Sequence, residues 1–171
     1  MRFSHGENDG RMIKIFALFS ILLGHMLSHT EIPEVWAEPI PFMEKSVKRD
    51  YRAPATQYSA GHRGIDFKLP LWEPIGSPID GVITFAGKVI DREVVTVQTP
   101  AGYLASFEPA CSKVAIGERV IRGQVIANHC PPSEQYQYHC ESCVHFSARN
   151  SFGYLSPLFL MGKLEPSVLV S

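Results

Sequence analysis

Between residues 61 and 150 no stretch holds a 3.6-residue apolar period over three turns, so a helical core is excluded. What this region offers instead is short β-branched runs punctuated by glycine. Residues 79–87 (Ile-Asp-Gly-Val-Ile-Thr-Phe-Ala-Gly) form one such run, and residues 88–90 continue its hairpin. Val94-Val95-Thr96-Val97-Gln98 is a second run, Pro100-Ala101-Gly102 a turn, and residues 102–107 the antiparallel return. Residues 144–149 read as a late strand, and residues 154–160 as a turn into a short final helix covering the sheet edge. With 13 Gly and 13 Pro in 171 residues, short strands and tight turns suit the chain better than long helices. The expected fold is all-β: a two-layer antiparallel β-sandwich or barrel-like sheet with a short C-terminal helix or turn.

An internal echo supports two similar β-units packed together. Ile75-Gly76, Ile79 and Gly81-Val82-Ile83 are repeated as Ile116-Gly117, Val120-Ile121, Gly123 and Val125-Ile126, with one residue inserted in the second copy. Chance likeness between short Gly/Val/Ile strings is the plain alternative. Residues 38–59 are polar and proline-punctuated. They read as an extended lead-in with one edge strand near residues 47–51, the core starting near Ala60.

Ahead of this lies an export leader. Residues 15–27 (IFALFSILLGHML) are apolar over the length of a signal-peptide core and too short for a comfortable membrane span. Arg11 and Lys14 supply the positive flank, and Val35-Trp36-Ala37 offers a cleavage point after Ala37. Glu7 and Asp9 dilute the charge of the first residues, so Met12 is a more ordinary start than Met1. An uncleaved anchor helix is the alternative, and either reading places the rest outside the cytoplasm, secreted or at the cell envelope. The expected parts are residues 1–37 as leader, 38–59 as lead-in, 60–163 as the β domain and 164–171 as tail. The four cysteines, Cys111, Cys130, Cys140 and Cys143, then meet an oxidising compartment and should pair, with three connectivities open. A structural zinc site at Cys140 and Cys143 with His129 or His139 is the competing reading. The formal net charge of −1 gives no basic stripe for nucleic acid.

The chemistry concentrates in Gly61-His62-Arg63-Gly64-Ile65-Asp66-Phe67. On a straight strand His62 and Asp66 would share a face about 13 Å apart, too far for ligands that each reach about 2 Å to one metal. A turn at Arg63-Gly64 would bring them together, and glycine is the residue that most easily permits one. His145 is the candidate third ligand. Two imidazoles and a carboxylate leave an open position on zinc, the donor set of a hydrolytic centre. Amide hydrolysis then needs a further group to handle the water's proton. A lone strand histidine is more often a half-buried structural residue, and a turn arginine such as Arg63 is as often solvated as bound to a substrate carboxylate.

Gly-His-Arg-Gly-Ile-Asp at 61–66, the string at 78–87, Val-Ile-Arg-Gly-Gln-Val-Ile at 120–126 and Cys-Val-His-Phe at 143–146 resemble the lysostaphin-type zinc endopeptidases, peptidase family 23 of the metallo class. The likeness spans about residues 50–160. It is greatest to a secreted actinobacterial branch, through Phe107-Glu108-Pro109 and the late cysteines. It implies a duplicated hybrid motif fold, zinc at His62, Asp66 and His145, and cleavage of peptide cross-links in peptidoglycan. In that family a His-x-His pair and a second histidine handle protons. Here those positions hold Cys143 and Pro109. His139, His129 or Glu108 are the candidate substitutes, with a Cys143 disulfide pinning the loop that carries His139. Tyr103, Tyr136 and Tyr138 are candidate walls for a peptide groove. The alternative is a catalytically degenerate module of the same fold that binds wall peptide or activates another cell-wall hydrolase. Phosphocarrier and lipoyl-type domains share such duplicated sheets, but they are cytosolic and the export leader speaks against them. A monomer is expected.

Overall fold

The computed structural model describes residues 35–56, 58–132 and 140–164. The leader through residue 34, His139, Tyr136, Tyr138 and the tail from residue 165 lie outside the described residues. The elements in chain order are α1 (Met43–Ser46), β1 (Val47–Arg49), β2 (Ile65–Lys68), β3 (Pro74–Gly76), β4 (Gly81–Val89), β5 (Arg92–Gln98) and β6 (Leu104–Glu108). Then follow β7 (Ala110–Ser112), β8 (Arg119–Val120), β9 (Val125–His129), β10 (Cys143–Asn150), β11 (Gly153–Leu155) and α2 (Pro157–Leu160). The protein is all-β with antiparallel pairing throughout, and among the described residues its two helices are single turns of four residues.

Eight strands make the large sheet, in the order β1-β2-β10-β6-β5-β4-β8, with β11 pairing with the far part of β10. A second sheet holds β3-β9-β7, and β7 packs against β4 and β5. Period-2 alternation sorts the large sheet into two faces. Ile65 and Phe67, Val144, Phe146 and Ala148, Ala105 and Phe107, and Val95 and Val97 are all fully buried on the core face. Phe107 and Phe146 stack there with centroids 4.4 Å apart. The residues between them (Asp66, His145, Ser147, Ser106 and Glu108) therefore share the other face.

The sequence echo corresponds to a real exchange of partners. β3 and β4 come from the first copy, β8 and β9 from the second, and β3 pairs with β9 while β4 pairs with β8. The two glycines are not equivalent, however. Gly117 has a left-handed φ of 88° at a turn, whereas Gly76 lies within β3 and donates its N–H to the Pro39 carbonyl.

The packed body also begins earlier than the expected start near Ala60. Trp36, Ile40 and Met43 are buried, and Trp36 lies between Tyr103 and Phe146, 6.3 and 6.2 Å from their ring centroids. Its N–H bonds the Leu160 carbonyl, so the lead-in and α2 close the same side of the core. The expected edge strand is present as β1, paired with β2.

Candidate metal centre

His62 ends a short bridge with Arg52, in which each backbone N–H bonds the other's carbonyl at 2.9 and 2.8 Å. The chain bends at Arg63-Gly64 and enters β2, which carries Asp66. The expected turn is therefore present, but Gly64 serves it by occupying no space. Its φ is outside the left-handed region. A Cβ there would collide with the Phe146 carbonyl and lie 2.7 Å from Cε1 and Nε2 of His145. The bend is seated directly on the ring of the third residue, on the neighbouring strand.

β10 then sets His145 opposite Asp66, side by side on one face. Asp66 Oδ1 lies 2.7 Å from His145 Nδ1 and 3.1 Å from His62 Nε2. The imidazole centroids are 5.0 Å apart. One ligand atom from each of the three residues falls within 4.8 Å of the others, and among the described residues this is the group of metal-ligating side chains that converges so. Two members are sealed, with side chains of His62 and Asp66 5% and 2% exposed, while His145 at 15% opens the site to one side.

The donor set fits a zinc ion. His62 Nδ1 is 2.7 Å from the Asp50 carbonyl, which can only accept, so the ring proton resides on Nδ1. Its Nε2 is thereby turned toward Asp66 Oδ1, the direction in which the two could share a metal ion. A ring held by a backbone carbonyl at its far nitrogen is the usual outer support of a metal-binding histidine. The Asp50 carbonyl is a backbone group, and no side-chain pattern could have disclosed it.

The other sequence candidates scatter. His129 lies on β9 in the small sheet, outside the three-residue cluster and fully buried. Its Nδ1 donates to the carbonyls of Leu69, at 2.7 Å, and Pro70, at 3.2 Å. Ser142 binds the same corner through its hydroxyl on Leu69 O. This histidine therefore clamps the end of β2 to the small sheet, a structural task rather than the expected proton-handling one. Burial holds its pKa below the ordinary value, against the opposing pull of its two carbonyl partners. The cysteines pair as Cys111–Cys130 and Cys140–Cys143. That leaves neither Cys140 nor Cys143 a thiolate for zinc. Pro109 follows β6 directly, and Glu108, the last residue of β6, pairs with Arg92. Arg63 donates to the Ser59 carbonyl and lies over the Tyr154 ring. Tyr103 packs on Trp36 beside the core.

The family model for peptidase family M23 matches residues 60–157, more than half of the chain. The chain belongs to peptidase family M23. An uncharacterized protein of Mycobacterium tuberculosis is 28% identical over 124 residues, which cover 68% of this chain and 47% of that protein. The chain thus spans about half the length of the curated relatives it matches. Solved structures of similar fold include three. One is a zinc-containing peptidase from Vibrio cholerae, with TM-score 0.59, 19% identity, and coverage of 73% of this chain and 40% of that one. Another is the catalytic domain of the antimicrobial peptidase lysostaphin from Staphylococcus simulans, with TM-score 0.57, 19% identity, and coverage of 69% and 94%. The third is a chain of the SpoIIQ–SpoIIIAH pore-forming complex, with TM-score 0.63, 20% identity, and coverage of 77% and 93%.

Proposed function

We propose that this M23 protein is a zinc-dependent endopeptidase that acts outside the cytoplasm, secreted or at the cell envelope, on the peptide cross-links of peptidoglycan. The observation that carries the reading is the convergence of His62, Asp66 and His145 on one point, with His62 held from behind by the Asp50 carbonyl. Zinc bound by these residues would supply Lewis acidity for attack by water at neutral pH. Asp66, the most buried of the three, would hold both imidazoles in place. His145, at the open side, would border the substrate. The exposed face of β2, β10 and β6 would receive an extended peptide, its hydroxyls (Ser147, Ser106) lying next to the metal-binding row.

The test is zinc content and release of muropeptides by the full chain and by His62→Ala. One zinc per chain with hydrolysis lost in the variant is expected. Stoichiometric zinc without hydrolysis over a broad panel of wall peptides overturns the enzyme reading. A second reading has its own support, because Cys143 is locked in a disulfide and Pro109 carries no titratable group. On that reading the protein binds wall peptide or activates a separate hydrolase. Activation that survives both His62→Ala and Asp66→Ala would establish it.

A further inference from the structure

We propose that Glu108 is the carboxylate that accepts the proton of the attacking water at this site, an inference that rests on the endopeptidase reading and completes it. His145 has a direct cross-strand neighbour on each side: Asp66 on β2 and Glu108 on β6. Directly opposed residues of antiparallel strands point to the same face with Cβ atoms about 5 Å apart. Asp66, His145 and Glu108 therefore form one row across three adjacent strands. The 2.7 Å approach of Asp66 Oδ1 to His145 Nδ1 shows the first half of that row in contact. Glu108 occupies the second half with a side chain one methylene longer.

The row also grades outward. Side-chain exposure rises from 2% at Asp66 to 15% at His145 and 24% at Glu108. Glu108 is outside the cluster whose ligand atoms lie within 4.8 Å. Its backbone position is next to His145, while its carboxylate leans toward Arg92 on β5, so taking the proton of the attacking water requires the side chain to turn back toward β10.

The carboxylate faces a cation. Its Oε2 lies 3.2 Å from Arg92 Nε, an ion pair without hydrogen-bond geometry, and Arg92 Nη1 donates to Asp91 Oδ1 at 2.7 Å. A carboxylate paired with a cation by charge alone keeps its acceptor capacity. The competing described groups are engaged elsewhere. His129 is bound to Leu69 and Pro70, and Cys143 is in its disulfide. Ser106 is bonded to Thr96 at 2.9 Å, and a hydroxyl is too weak a base for the task. In the reaction, the water oxygen bonds to the scissile carbonyl carbon as one of its protons passes to Glu108. The same proton then passes to the amide nitrogen as the C–N bond breaks. Water is consumed and the glutamate is regenerated.

The experiment compares the zinc-loaded full chain with Glu108→Gln, which keeps the side chain's size and an acceptor for Arg92. Three quantities are read: zinc affinity, turnover of peptidoglycan peptides, and affinity for a phosphinic pseudo-peptide that mimics the tetrahedral carbon. Loss of a general base predicts turnover down by about 100-fold or more. Pseudo-peptide binding should weaken by about tenfold or more as the hydrogen-bonding acid is lost, while zinc affinity stays within about threefold. If Glu108→Gln retains both turnover and pseudo-peptide affinity, the proposal fails. A collapse of zinc affinity in Glu108→Gln also overturns it, by making Glu108 a ligand. A wild-type protein that binds zinc but neither cleaves peptides nor binds the pseudo-peptide instead removes the endopeptidase reading itself.

Discussion

Gly64 is the residue on which the site depends without contributing a donor atom. The residues His62, Gly64 and Asp66 are legible in the sequence as a bend between two ligands. The reason for the glycine is not legible there, because it comes from across the sheet. The bend presses on β10, and any Cβ would meet the Phe146 carbonyl and the ring of His145. Forcing a methyl group into so close a contact costs about 1–3 kcal/mol. Moving the imidazole relieves only part of this, because the Phe146 carbonyl is backbone of β10. Gly64→Ala should therefore lower stability through the β2–β10 pairing and also bind zinc at least about tenfold more weakly, a loss of about 1.4 kcal/mol. Zinc titration beside a thermal melt separates the two effects. Wild-type zinc affinity in the variant would show that His145 is not held against this turn.

At the scale of elements, the strands were readable because β-branched runs and glycine boundaries are local signals. The register of β5 with β6, Val95 opposite Phe107, follows from the turn at 100–102. The packing of the lead-in was not readable. Trp36, Ile40 and Met43 fall at i, i+4 and i+7, but Pro39 and Pro41 between them rule out the helix that spacing would suggest, so only the shape of the folded core makes them interior. This bears on processing. Cleavage after Ala37 would remove a tryptophan stacked on Phe146 and hydrogen-bonded to Leu160. Truncating a buried tryptophan costs about 3–5 kcal/mol, and Trp36→Ala should lower the unfolding free energy by that order in urea titration. If the leader is processed on export, the expected N-terminus lies upstream of Trp36, readable by intact-mass analysis. A mature protein beginning at Glu38 with full stability would contradict it.

Across the whole molecule, two links join chain-distant parts around the small sheet. The Cys111–Cys130 disulfide ties β7 to the chain just beyond β9, and His129 ties β9 to the corner that follows β2. Pairing of the cysteines follows from the expected export, but the connectivity does not, since four cysteines leave three choices. His129 is a candidate in the sequence because Cys143 and Pro109 stand where the resembled family has its proton-handling histidines. In the fold it is a buried donor to two carbonyls, and its Nε2 has no hydrogen-bond partner among the described residues. Protonation would place a charge on that buried nitrogen, so burial lowers the pKa below 6.5 in the folded state. The sign of the effect on stability follows. As pH falls through about 6.5 the unfolded chain takes up the proton first, and the folded chain does so only at lower pH. The stabilisation is thus complete above about pH 6.5 and drains away as pH falls toward the depressed value, by at most about 1.4 kcal/mol per pH unit. His129→Asn can still donate to Leu69 O but does not titrate. It should be less stable than wild type at pH 7.5, and the gap should narrow steadily toward pH 5 in metal-free urea titrations. His62 and His145 are common to both proteins and cancel in the difference. A gap that stays constant over this range would mean that His129 takes up its proton equally in both states, and the clamp would then not depend on a neutral, buried ring.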